Sequence, residues 1–250
     1  MQAQLEQIIE SARLNRQYKL SLDSHQLSTL PESLGSLIDL CHLNLRDNQL
    51  TSLPESITDL INLDWLALDK NQLTSLPESI FSLVLLSKLA LNDNQLTNLP
   101  ASIGNLSELT YLNIANNQLI NLPESIGSLT NLSWLDLANN QIDTLPNSIK
   151  SLCGLTYLNL DGNPIGDLSA LKSLDNLETV MLFGSSLPCR YWTKFSEWRA
   201  EWLLDEDDAR IRRPLAKQVG FERVCQLSGL TRLELNNWQL TELPANVENL

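Results

Sequence analysis

The sequence predicts an α/β solenoid: a right-handed horseshoe with about nine short parallel strands on its concave side. Three observations predict it. The pattern L-x-x-L-x-L-x-x-N-x-L recurs without a gap, its first leucines being Leu40, Leu63, Leu86, Leu109, Leu132 and Leu155, a constant step of 23 residues. Asparagines keep the same register at Asn48, Asn71, Asn94, Asn117, Asn140 and Asn163. A second half-pattern, L-P-x-x-I-x-x-L, fills the rest of each unit, as in Leu53-Pro54 to Leu60 and Leu76-Pro77 to Leu83. Self-similarity at a fixed period of this length marks a stack of identical supersecondary units.

Each part of the unit has a physical reason. In Leu63-Asp64-Trp65-Leu66-Ala67-Leu68, leucines alternate with other residues, the period of a strand with one face in the core. Asparagine at a fixed turn position offers an amide that both donates and accepts, so it can pair backbone groups that the turning chain strands. Proline suits the first turn of a short helix, and Glu55, Glu78 and Glu124 follow it near the positive end of that turn. Ile57, Ile80, Ile103, Ile126 and Ile149 point back into the core. No unit buries its leucines alone, so the stack is the cooperative object.

These residues resemble the leucine-rich repeat family, in its 23-residue class with Leu-Pro on the convex side, of bacterial and intracellular type. The match covers nearly all of 17–187 and 222–250. The resemblance implies parallel strands on a concave face and a binding role, although a fold alone does not establish function.

Taken in order, residues 1–16 are not a repeat. Leu5, Ile8, Ile9 and Ala12 sit at helical spacing, which predicts an amphipathic cap from about Gln2 to Asn15 over the open end of the core. Repeats one to eight follow over 17–187; the first is degenerate, with Gln17 for the leading leucine and His25 at the asparagine position. Repeat seven has Asn163-Pro164-Ile165-Gly166 at its turn and lacks Leu-Pro. The register then breaks, and 188–221 reads as an insertion. Tyr191, Phe195, Trp198 and Trp202 recur as one stripe of a helix, either core against the solenoid flank or an aromatic docking surface. The final repeat, 222–250, carries Trp238 at the asparagine position and stops at Leu250 without a polar cap. It reads as the truncated end of a longer protein, an end covered by a partner, or one closed by Trp238; left open, it favours self-association.

Charge and cysteines narrow the partner. Lys plus Arg is 17 against 30 Asp plus Glu, a formal net charge of −13. Nucleic acid and anionic membranes are poor partners for such a surface, whereas a basic or polar protein or peptide suits it. No run reaches the ~20 apolar residues of a membrane span. Cys41, Cys153, Cys189 and Cys225 share no spacing, which points to a reducing, cytoplasmic setting; translocation into a host cell or export is the alternative, and a Cys189–Cys225 bridge across the insertion stays open. No phosphate loop, nucleophile elbow or zinc helix is present, and the two histidines sit on repeat scaffolding. The sequence calls for no enzyme activity, no cofactor and no metal. The alternative is that this chain is the recognition part of a larger signalling enzyme or a translocated effector.

The candidate site is the concave column two residues after each leading leucine: Lys19, His42, Trp65, Lys88, Tyr111, Trp134, Tyr157, Thr179 and Arg232. Four of these nine are large aromatics, in a chain only 6% aromatic. Neighbouring columns add Asn113, Asp136, Asn159 and Asp161. Aromatics supply contact area at low entropy cost and amides read backbone, so the column suits a protein or peptide. Trp65, Tyr111, Trp134 and Tyr157 form its expected hot spot, flanked by His42 and Lys88, with Asp136 and Asp161 setting charge preference. The bland alternative is that Trp and Tyr here merely suit a strand and cover the leucines beneath.

Overall fold

The computed structural model describes residues 2–181 and the short strand 191–192. Eight three-residue strands form the parallel sheet: β1 (Lys19–Ser21), β2 (His42–Asn44), β3 (Trp65–Ala67), β4 (Lys88–Ala90), β5 (Tyr111–Asn113), β6 (Trp134–Asp136), β7 (Tyr157–Asn159) and β8 (Thr179–Met181). Pairing follows the sequence register, so that Leu20, Leu43, Leu66, Leu89, Leu112, Leu135 and Leu158 stand in one row, each of them buried. The open end of this row is closed by α1 (Gln2–Leu14), which buries Leu5, Ile9 and Ala12 against the first repeat.

The ladder asparagines do the work assigned to them. Asn117 Nδ2 donates to the carbonyls of Leu91 and Ile114, both at 3.0 Å, and of Ala115 at 3.2 Å, while its Oδ1 accepts the Leu96 N–H at 2.9 Å. Asn48, Asn71, Asn94, Asn140 and Asn163 repeat this set, and all six are buried. One amide thus ties together two neighbouring repeats. The residue just before each asparagine turns through the left-handed region, with φ between 53° and 58° at Asp47, Lys70, Asp93, Asn116 and Asn139. Gly162 holds that place in repeat seven, and there a Cβ would also run into Asn139.

The convex elements are short 3₁₀-helices, such as Glu55–Asp59 and Glu78–Ser82. Proline sits just before the first helical residue in extended geometry, at φ −69°, ψ 149° for Pro54, rather than inside the first turn. The following glutamates do more than face a turn. They reach the serine of the next repeat: Glu32 accepts the Ser56 N–H at 3.1 Å, Glu55 the Ser79 hydroxyl at 2.5 Å, and Glu124 the Ser148 N–H at 3.0 Å. Glu78 accepts likewise from Ser102. Two kinds of seam occur here. Gly35, Gly104 and Gly127 let the next repeat close in, and the hydroxyls of Ser56, Ser125 and Ser148 facing them are buried. Where Thr58 and Phe81 stand instead, Ser79 and Ser102 keep their glutamates.

Beyond β8 the expectation of a helix starting near Tyr191 is not met. Tyr191 and Trp192 form β9, antiparallel to β8 with Met181 opposite Tyr191. The edge of β8 presents unpaired backbone groups, and a returning strand satisfies them where a helix would not. The rest of the insertion, the Cys189–Cys225 pairing, the final repeat and its end lie outside the described residues.

Two measurements check this account. Asn117→Leu strands the Leu96 N–H and takes one of two donors from each of the carbonyls of Leu91, Ile114 and Ala115, so it should lower unfolding free energy by about 1–3 kcal/mol; an unchanged unfolding free energy in urea denaturation would contradict the ladder. Gly127→Ala should cost about 1–3 kcal/mol, because its Cβ meets the Ser148 carbonyl. Gly166→Ala, with nothing within 4 Å, should be neutral or slightly stabilising by thermal melts.

Candidate functional site

Strand geometry sends Leu43, Leu66, Leu89, Leu112, Leu135 and Leu158 inward, so the residues on either side of each face out of the concave sheet. The register sets His42, Trp65, Lys88, Tyr111, Trp134 and Tyr157 side by side on successive strands. Strands in a sheet lie roughly 4.8 Å apart, so rings in one column meet.

They meet as two groups. His42 packs edge-on against Trp65, ring centroids 5.8 Å apart. Tyr111, Trp134 and Tyr157 form a stack; Tyr111 and Trp134 are 6.1 Å apart and Trp134 and Tyr157 close to 3.6 Å with planes only 9° apart. Lys88, exposed, separates the groups. Trp134 remains 37% exposed, so the stack does not bury its own centre. The Tyr157 hydroxyl lies 2.8 Å from the Met181 sulfur, which holds that ring from the far side.

The next column carries Asn44, Asn113, Asp136 and Asn159, and it does a job that the sequence reading missed. Each side-chain oxygen accepts the N–H two residues on: Arg46 at 3.1 Å, Ala115 at 3.0 Å, Ala138 at 3.1 Å and Asp161 at 3.0 Å. The signal was present as Asn or Asp at one fixed offset in four repeats. Asp136 is half-buried, and burial pushes its carboxyl above the ordinary range, against the pull of the Ala138 N–H and the Asn159 side chain. Asp69, one column further, is buried too; burial raises its carboxyl while Arg46, at 3.1 Å, draws it down. Asp161 lies just past β7, partly buried, in that outer column. Arg46 and Asp69 stand 23 residues apart in one column on neighbouring repeats, so the repeat register sets them side by side, while their pairing shows only in the structure.

Among the described residues no group of three His, Cys, Asp or Glu could hold a metal ion, and Cys41 and Cys153 are free. No helix of the described residues is long and apolar enough to cross a membrane. What the arrangement offers is a sheet face with an aromatic stack, amides and a half-buried carboxylate, a surface for contact with another molecule.

Comparison with known proteins agrees. Family models described as leucine-rich repeat region and leucine rich repeat match residues 101–197, 61–119 and 39–60. The chain belongs to the leucine-rich repeat family. No curated protein sequence matches it. A solved leucine-rich repeat protein of Leptospira interrogans is 34% identical over 70% of this chain and 52% of its own, with a TM-score of 0.63. The plant peptide hormone receptor RGFR1, solved in complex with RGF2, is 31% identical over 63% of this chain and 26% of its own, TM-score 0.57. The leucine-rich repeat ectodomain of the Arabidopsis thaliana membrane receptor kinase GASSHO1/SCHENGEN3, in complex with CASPARIAN STRIP INTEGRITY FACTOR 2, is 34% identical over 63% of this chain and 20% of its own, TM-score 0.56. The chain thus spans about half the length of the first of these structures and 26% and 20% of the other two.

The raised Asp136 carboxyl has a consequence for stability. The folded state keeps its proton at pH values where the unfolded chain has lost it, so this group's contribution falls as pH rises through the folded value. At neutral pH the charge is a net cost. Asp136→Asn, which can keep the bond to Ala138, should melt higher than the natural protein at pH 7. That gain should fade as pH drops below the ordinary carboxylate range. A melting temperature lowered at pH 7 would contradict this.

Proposed function

We propose that this chain is a protein-interaction module that receives a protein or peptide on its concave face. The observation that carries the reading is the stack of Tyr111, Trp134 and Tyr157, which stays accessible at its centre instead of being packed away. Aromatic side chains with a low ordering cost and an apolar face dominate binding energy at such surfaces. Trp65 with His42 forms a second aromatic contact, Lys88 sits between, and Asp136 and Asp161 bias the site toward a basic or polar partner. From Trp65 to Tyr157 the site covers four strand steps, roughly 19 Å, the span of a short extended segment. The plant receptor bound to RGF2 supports a peptide-sized partner for this kind of sheet. The strict 23-residue step supports the Leu-Pro class, and Cys41 and Cys153, free among the described residues, together with the net negative charge suit a cytoplasmic, nucleic-acid-free setting.

A second reading draws on the receptor kinase match: the chain acts as the recognition part of a larger signalling protein. The complete open reading frame decides between them.

Trp134→Ala and Tyr111→Ala should each weaken binding of a partner isolated from the native host by more than about tenfold, on the order of 1.4 kcal/mol. Circular dichroism and melting should stay unchanged. Calorimetry showing unaltered affinity in both variants would move the binding site off the concave face.

A further inference from the structure

In the column of Asn44, Asn113, Asp136 and Asn159, where Ala67 and Ala90 fill the third and fourth repeats, a side-chain oxygen holds the N–H two residues on. Asparagine supplies it in the repeats on both sides of Asp136, at 3.0 Å in each. The turn at Asp136 therefore has no use for a negative charge. That charge is nonetheless kept, half-buried, in a place where burial disfavours it. Asp69, the other buried carboxylate of this face, has Arg46 beside it at 3.1 Å. Asp136 has no cation paired to it among the described residues. Its surroundings are Trp134 two residues back on the same strand and Asn159 on β7, whose neighbour in the first column is Tyr157.

We propose that Asp136 is the docking point for an arginine side chain of the partner, whose guanidinium pairs with the carboxylate and lies against the Trp134–Tyr157 stack. The proposal rests on the concave-face reading and names the chemistry that the face selects. Two residues along a strand span about 6.6 Å, so a guanidinium placed between the Asp136 carboxylate and the ring of Trp134 comes within the ~6 Å reach of a cation–π contact. Arginine fits better than lysine, because its planar fork can take both carboxylate oxygens and stack on an aromatic face at once. The formal net charge of −13 steers a basic segment toward the site.

The test uses the intact chain and a displayed library of random peptides. Selected peptides should share one fixed arginine. Replacing it by citrulline, a neutral group of the same shape, should weaken binding to the natural protein by more than about tenfold. The same replacement should cost less than about threefold on Asp136→Asn, the signature of direct coupling. Selection without a fixed arginine, or a citrulline penalty undiminished on Asp136→Asn, overturns the proposal, as does a lysine peptide that binds as well. Loss of binding in Trp134→Ala alongside a flat Asp136 cycle would leave the concave reading standing and remove only the arginine. Binding untouched by Trp134→Ala would remove both, and so would a library that yields no binder.

Discussion

The structure depends on one buried amide per repeat. A chain that turns every few residues leaves carbonyl and N–H groups facing an apolar core, where each unpaired group costs on the order of 1–3 kcal/mol. The asparagines at 48, 71, 94, 117, 140 and 163 meet that cost with a single side chain, donating to their own repeat and the one before. Because the bonds cross from repeat to repeat, the amide fixes the step between units as well as the turn within them. The leucine rows then need only fill the space that this step defines, which they do with almost no exposure.

Fixing the step frees the outward face. Apart from the side-chain oxygens of Asn44, Asn113, Asp136 and Asn159, few concave side chains are tied into the turns. Their identity can therefore vary from strand to strand while the backbone stays the same. Lys88 between two aromatic groups, and an aspartate at 136 where neighbours have asparagine, are variations of this kind. A rigid sheet carrying variable side chains at roughly 4.8 Å intervals is suited to reading an extended partner one residue after another.

Most of the fold was legible because it repeats. The leucine rows, the asparagine ladder and the inward isoleucines follow from the repeat period, and the capping helix from the helical spacing of Leu5, Ile8, Ile9 and Ala12. The concave column was legible for the same reason, since strand alternation alone says which residues face out. What stayed hidden depends on distances between side chains. Nothing in the text of the repeat tells that Trp134 and Tyr157 close to 3.6 Å while Tyr111 stands further off. The glutamate-to-serine bonds were missed because the helix dipole offered a simpler use for those glutamates. The strand at Tyr191 and Trp192 was missed because aromatic spacing reads equally as a helix stripe when the demand of a sheet edge goes unseen.

The mix of glycine and bulkier residues along the convex side bears on the mechanics of the whole stack. On the concave side hydrogen bonds hold every strand at one spacing, so curvature is set by how far apart the convex elements stand. At Gly35, Gly104 and Gly127 the next repeat comes close to bare backbone. At Phe81, fully buried, a ring fills the convex side instead. The spacing of the convex elements beside Phe81 therefore depends on the size of one side chain. On the concave side, that region lies between Trp65 and Tyr111, so a smaller residue at Phe81 would bear on how the two aromatic groups stand to each other.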